Sequence, residues 1–325
     1  MTHPIRRRHL VQLAGAALAA PAFTARAQAF PAKPIKLIIA FPAGGPTDIT
    51  MRSLADNAGK ILGQPVIVEN KPGAGGTLPA QTLQTSPADG YTLAQIPLGV
   101  FRLPYTTKIN WDPVKDITYV LNVTGYAFGL VVPADSPLRT WTHFVAWAKA
   151  NPGKLSYGST GIGSSMHLAG EYFQREYGAK MVHVPFSNPG NATTNLISGE
   201  IQLMFQLVPG IAGQVKGGRV RAIGVMSPQR SPALPDVPTM VELGAPKLMS
   251  STWFALLAPK GTPAVALERM NAVANEALAD PAVKKRLNEI GASPLGGTPK
   301  QLADHLAAEI EKWGRVVRDA NIQVQ

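Results

Sequence analysis

Two α/β units, each built on a mainly parallel sheet, are the fold this sequence predicts, and three observations predict it. Short apolar runs alternate with segments of helical period along most of the chain, the pattern of repeated βα units. Glycine-rich turns join apolar runs to helices in both halves, at 41–48 and again at 158–165. The 325 residues, 45% hydrophobic, are enough for about two domains of ordinary size.

The first strand is the apolar run 35–41, with the little alternation expected of a strand covered on both faces. Pro42, Gly44, Gly45 and Pro46 break it, and Thr47 or Asp48 is expected to cap a helix running from Ile49 to Leu62, stopped by Gly63. A second strand covers Val66–Asn70, and the loop 71–76 opens a helix to about Thr85. Gly73-Ala74-Gly75-Gly76-Thr77-Leu78 approaches a dinucleotide fingerprint but has Leu78 where the third glycine belongs, so no nucleotide cofactor is expected. Asp89-Gly90 is a turn, 91–96 a third strand, 101–126 irregular, and 128–132 a strand ended by Pro133.

The pattern then restarts. Thr140 caps a helix over Trp141–Ala150; 155–157 is a short strand; the loop 158–165 opens a helix over 166–177; Met181–Pro185 is a strand followed by the loop 186–191. Further helices at 193–199 and 211–216 alternate with strands at 201–205 and 220–225, and 231–238 is a proline-rich connection. After an apolar strand over 253–258 the remainder reads as helical, with Pro263, Pro281 and Pro299 at first-turn positions. Leu302, Leu306, Ile310, Trp313 and Val317 form one stripe of the last helix.

Composition excludes several chemistries. There is no cysteine, hence no disulfide, thiolate metal site or cysteine nucleophile. His143, His183 and His305 have no metal-ligand spacing. The formal charge is +11, but Arg6, Arg7, Arg8 and Arg26 lie in residues 1–29, which hold no acid, so residues 30–325 carry +7. The bases are scattered and no groove-binding motif is present, so no nucleic-acid partner is expected; a mild positive surplus suits a protein that collects anions. Arg6 to Arg8, the Ala-rich apolar stretch 10–23 and Ala27-Gln28-Ala29 form an export signal, with cleavage after Ala29 and a periplasmic mature chain from Phe30. Arg6-Arg7-Arg8-His9-Leu10 is similar to the twin-arginine export motif, with His9 in place of its usual Phe, which leaves the Sec route open as well.

The glycine loops carry the functional reading. Each lies after a strand and before a helix, where free N–H groups and the helix dipole favour a carboxylate or phosphate. The bland alternative is that their glycines serve geometry, with Asp48, Ser164 and Ser165 as caps and His167 structural. A hydrolase would use Ser159 or Ser164, but the G-x-S-x-G elbow is absent, and no enzyme activity is expected.

Pro34-Ile35-Lys36-Leu37, Phe41-Pro42-Ala43-Gly44-Gly45, Thr47-Asp48, Glu69-Asn70-Lys71-Pro72-Gly73-Ala74-Gly75-Gly76, Asp89-Gly90-Tyr91-Thr92-Leu93, Tyr157-Gly158-Ser159, His167-Leu168-Ala169-Gly170-Glu171 and Leu234-Pro235-Asp236-Val237-Pro238-Thr239 occur in this order. With them the chain resembles the tripartite tricarboxylate transporter receptors, or Bug proteins, which are periplasmic solute-binding proteins. The resemblance implies a type II periplasmic-binding-protein-like fold: two α/β domains, 30–128 with 252–325 and 129–251, joined by two crossing strands. It implies a monomer that captures a small organic acid in the interdomain cleft and delivers it to membrane transporter subunits; some relatives act in sensing instead. Mapped onto this sequence, the ligand would meet Phe41, Ala43, Gly44, Thr47 and Asp48 from one side. From the other it would meet Ser159, Gly161, Gly163, Ser164 and Ser165, with Phe186 and Gln206 toward its far end. Its charge would be met by N–H dipoles rather than by an arginine. The chain departs from the family at Pro46, at 186–190 where a Tyr-Lys-Gly stretch is usual, and at Gln206 where an acid is frequent.

Overall fold

The computed structural model describes residues 30–73, 76–105, 108–186, 189–248 and 250–319. The expected export signal and its cleavage site, and Ala74, Gly75, Ser187 and Asn188 of the expected loops, lie outside these residues.

In chain order the elements are β1 (Ile35–Ile39), α1 (Pro46–Leu62), β2 (Val66–Asn70), α2 (Leu78–Thr85), β3 (Thr92–Pro97), the single turn α3 (Leu98–Phe101) and β4 (Ile117–Pro133). Then come α4 (Trp141–Ala150), β5 (Leu155–Ser159), α5 (Ser165–Tyr177), β6 (Met181–Pro185), α6 (Pro189–Ile197), β7 (Leu203–Leu207), α7 (Val208–Lys216) and β8 (Val220–Val225). The chain closes with β9 (Ser251–Pro259), α8 (Ala264–Ala279), α9 (Pro281–Glu289), β10 (Ala292–Gly296) and α10 (Pro299–Asp319).

One strand organises the sheet. The path runs β2-β1-β3-β9-β4-β7-β5-β6, with β8 and β10 also paired to β4. Residues 117–127 of β4 pair with β9, while Phe128 to Val131 pair with β7. Each half therefore holds a parallel trio, β2-β1-β3, which joins β4 through β9, or β6-β5-β7, which joins it directly.

Burial follows that division. In the first half β9 sends Phe254, Leu256 and Ala258 into a core with α1, α8 and α9. It sends Trp253, Ala255 and Leu257 into a second core with α2, α3 and α10. Both faces are covered, which is why its sequence is continuously apolar. Each such Leu or Phe contributes roughly 1.5–3 kcal/mol. The second half has its own core from Phe128 to Leu248, centred on Phe144, Phe173 and Phe205.

Four local readings of the sequence are corrected. β4 begins at Ile117 rather than near Phe128; register shifts at 119–121 and 122–124 break its alternation and hide it as irregular chain. The C-terminal region is not wholly helical, because Ala292–Gly296 pairs with 122–126 of β4. The first long helix starts at Pro46, with Gly45 as N-cap and no side chain capping it, not at Ile49 behind Thr47 or Asp48. Proline at N1 lacks only a hydrogen that would find no acceptor there. Pro263 likewise lies at the N-cap of α8 and not within its first turn.

α5 presses on β5 through Gly170. A Cβ there would lie 2.3 Å from Tyr157 Cε2, and the Tyr157 ring is buried, its hydroxyl donating to Glu171 Oε1 at 2.6 Å. Gly170→Ala would gain about 1 kcal/mol of helix propensity, but a clash with an immobilised ring costs about 1–3 kcal/mol or more. The expected outcome is a net loss of stability, read as a lower urea midpoint; an unchanged or higher midpoint would show that Tyr157 yields freely.

Candidate ligand-binding cleft

Strand direction brings the two glycine loops toward one line. In the first half Ala94 lies opposite Leu257 and Pro97 opposite Phe254, so β1 and β3 point their carboxyl ends at the start of β9, where Ser251 lies beside Ala127. In the second half Leu207, the last residue of β7, lies opposite Phe128, and β5 runs parallel to β7. The first trio thus stops level with Thr124 and the second level with Phe128, so the two run toward residues 124–128 of β4 from opposite directions. The loops after β1 and β5 leave from those ends, where open α/β sheets bind their ligands. A direct contact crosses between the halves: Arg102 Nη1, just after α3, donates to Ser165 Oγ at 3.1 Å.

The first loop is held in shape by Asp48. Its carboxylate accepts from Gly44 N–H at 2.9 Å, Asn70 Nδ2 at 2.8 Å and Arg52 Nε at 3.0 Å. Asn70 Nδ2 also reaches the Phe41 carbonyl at 2.9 Å, tying β2 to the loop. Burial alone would raise the Asp48 pKa, but the bonds from Arg52, Gly44 and Asn70 hold it below the usual carboxylate range. Gly44 has φ +78°, a conformation glycine adopts without strain. Ala43 and Gly44 are exposed at the tip, and Phe41 packs at a tilt against Phe254 with ring centroids 5.3 Å apart. Thr47 is buried near the Tyr126 phenol, with Thr50 and Thr124 around the same group.

The second loop is braced by a pair of histidines. Ser159 is fully buried at the end of β5; its Oγ lies 2.6 Å from His183 Nε2 and accepts from Gly161 N–H at 3.0 Å. Gly163 N–H donates to His167 Nδ1 at 3.0 Å, so that nitrogen carries no proton. The His167 and His183 rings stack at 4.0 Å. Burial pushes the His167 pKa down to about 4, and burial together with the neighbouring His167 does the same to His183. Ser164 is the N-cap of α5 and takes the His167 amide at 3.2 Å. The amides of Ser165 and Met166, and those of Thr47 and Asp48 in α1, belong to first turns and have no carbonyl within their helices.

Two further residues of the expected set lie at the carboxyl ends of the second-half strands. Phe186 packs on the second core beneath Gly158. Gln206 is buried at the end of β7 with Oε1 accepting from Leu207 N–H at 2.9 Å. The Ser159–His183 pair resembles part of a hydrolytic dyad, yet Ser159 has no solvent exposure and Glu171 Oε1 faces His167 Nε2, at 3.6 Å, rather than His183. Among the described residues no three His, Asp or Glu side chains gather to hold a metal.

The sequence reading passed over several polar groups. Gln95 shares the core-facing side of Ile39 and Leu256, is fully buried, and has no partner for either amide atom. Two nitrogens of Arg102 are likewise buried without partners. A solitary Gln or Arg in an otherwise apolar segment, 92–103, is the signal that could have found them.

Comparison with known proteins was consistent across sequence and structure. A family model described as the tripartite tricarboxylate transporter family receptor matches residues 50–322. The chain is 45% identical over 320 residues to the UPF0065 protein in the gbd 5' region of Cupriavidus necator, covering 96% of this chain and 97% of that one. It is 35% identical over 319 residues to protein BugT of Bordetella pertussis, covering 96% of each. Among solved structures it is similar to periplasmic binding protein BugD at 29% identity and TM-score 0.80, covering 91% of this chain and 100% of that one. R. palustris Rpa4515 with adipate matches at 28% identity and TM-score 0.83, with 91% and 100% covered. MatC from Rhodopseudomonas palustris with bound malate matches at 31% and 0.77, with 89% and 100% covered.

The histidine brace predicts a pH dependence. Both rings are neutral in the folded protein down to about pH 4, whereas in the unfolded chain they protonate near 6.5. Between those values the unfolded state binds more protons, so this contribution to stability is intact above about pH 6.5 and is lost as pH falls toward 4. His167→Gln, which retains an acceptor for Gly163 N–H, is expected to flatten the melting temperature against pH between 6.5 and 4. A slope equal to the wild type would refute the assignment.

Proposed function

We propose a function from one premise: the chain belongs to the tripartite tricarboxylate transporter receptor family. It has the type II periplasmic-binding-protein-like fold of that family, and its homologues are solute-binding receptors. In this reading it is an exported periplasmic receptor, cleaved after Ala29 and monomeric, that captures a small carboxylate between two domains, 30–128 with 252–325 and 129–251. It hands the ligand to the membrane subunits of a transporter. Relatives solved with adipate and with malate make dicarboxylates of that size the first ligands to consider.

The observation that supports the reading is strand direction: the parallel trios that carry the two glycine loops run toward residues 124–128 of β4 from opposite directions. A carboxylate there would accept from the first-turn amides at Thr47, Asp48, Ser165 and Met166 and from the Ser164 and Ser165 hydroxyls, with Ala43 and Phe41 against its carbon chain. The amides of Gly44, Gly161 and Gly163 already have acceptors within the protein, so in this reading these glycines shape the loops. Asp48 and Ser159 act in the same indirect way. Hinge motion about β4 and β9 would close the two domains on the ligand.

A ligand at 100 times its Kd adds about 2.7 kcal/mol of stability. Purified protein from residue 30 onward is therefore expected to melt several degrees higher with a saturating dicarboxylate, and to leave that acid chemically unchanged. Failure of mono-, di- and tricarboxylates alike to move the melting temperature would remove the receptor reading. Ala43→Asp places a negative charge at the exposed loop tip; it is expected to abolish the shift while leaving the ligand-free melting temperature within a degree or so. A shift of undiminished size would place the ligand elsewhere.

A further inference from the structure

α5 faces two ways. It follows β5 and belongs by sequence to the second half, and Met166, Ala169 and Phe173 lie in the core of that half. Leu168 is fully buried too, but in a core of the first half, with Trp253 and with Leu302, Leu306 and Trp313 of α10. Tyr172, one turn further on, is half-buried and packs on both cores. Ser165, about one turn before Leu168, accepts from Arg102 at 3.1 Å, and the Arg102 guanidinium lies over the Trp313 ring, 4.4 Å from its centroid.

Helical spacing separates these contacts into two stripes. At about 100° per residue, Ser165, Leu168 and Tyr172 share one side of α5, while Met166, Ala169 and Phe173 share another roughly a quarter-turn away. A helix that only covers its own sheet needs one apolar stripe. The second stripe has its partners in the other half. The chain crosses between the halves within β4 and again on entering β9. The packing of α5 on α10 is a third junction, and it is the one that can come apart without breaking a strand.

Two features make this junction matter. Ser164, the N-cap of α5, is part of the second glycine loop, so whatever holds α5 against the first half also sets where that loop stands. Phe173 is locked among Trp141, Phe144 and Phe205, with ring centroids 6.0, 5.3 and 5.9 Å away. α5 therefore moves as one body with its own core, and a rotation of the second half must strip Leu168 from α10.

We propose that Leu168 and Tyr172 are positioning residues: with α10 they form a latch that keeps the halves docked in the ligand-free protein, and the strength of this latch sets how far the cleft opens. The latch itself stands on packing. Its effect on affinity rests on the receptor reading, because a receptor whose docked form is less populated binds more weakly in the same proportion.

The chain contains no cysteine, so an introduced pair carries spin labels at defined places. Ile67 on β2 and Val182 on β6 are exposed and lie on the two end strands of the sheet path, where rotation of one half against the other displaces them most. In Ile67→Cys/Val182→Cys protein without ligand, double electron–electron resonance is expected to give one narrow distance distribution. Leu168→Ala or Tyr172→Ala on that background is expected to displace or broaden it by several ångström. Phe173→Leu, confined to the second-half core, is the control: it lowers the melting temperature and leaves the distribution as it was. The two latch variants are also expected to bind whichever of adipate and malate the wild type takes about threefold more weakly or worse. Distributions unchanged in both latch variants, or displaced equally by Phe173→Leu, overturn the latch. Should Leu168→Ala fail to fold, Tyr172→Ala decides. If wild type binds neither acid, the receptor reading fails, while the distance measurement still settles the latch.

Discussion

The change of hydrogen-bonding partner along β4 is the constraint on which the rest depends. Up to Ala127 the strand is bonded to β9; from Phe128 it is bonded to β7 and β8. Because β7 and β9 meet it with their ends at the same point, the parallel trios behind them approach that point from opposite directions. Helix N-termini follow the carboxyl ends of β1 and β5, so two electropositive ends are directed at a common line. No side chain has to be invoked for this arrangement. It follows from strand direction, which is set by the backbone, and it explains why glycine-rich turns recur at equivalent places in the two halves.

Each turn is made rigid by a different device. In the first half a carboxylate, Asp48, gathers a loop amide, an arginine and an asparagine from three segments of chain. In the second, neutral imidazoles do the work: His167 accepts from the loop and His183 meets Ser159. The consequence is the same in both. Glycine amides are consumed in fixing the loop, and first-turn helix amides are left directed outward. A pre-shaped loop loses less conformational entropy when a ligand arrives. Both hubs are intact at neutral pH, with Asp48 ionised and the imidazoles neutral.

Much of this was legible in the sequence, and the exceptions have physical causes. Strand, glycine turn and helix succeed one another at 35–62 and 155–177 as the apolar pattern indicates. Asp commonly fills a cap position, but Pro46 at N1 moves the helix start forward and leaves Asp48 inside its first turn. The first part of β4 was invisible because bulges spoil its period of two. Arg102 could not be judged from its neighbours at all. Its burial is created by Trp313 and Ser165, residues far away in sequence, and local pattern carries no information about such contacts.

The same long-range contact bears on how closure would be driven. Any motion that parts the halves at β4 must break the bond between Arg102 and Ser165 and admit water to the guanidinium. Water solvates a cation well, so opening is favoured by hydration of Arg102 and opposed by lost apolar contact around Leu168 and Trp313. A ligand can shift a two-state equilibrium only by its difference in affinity for the two states. A site with one wall from each half maximises that difference, because the open form offers the ligand only one wall at a time.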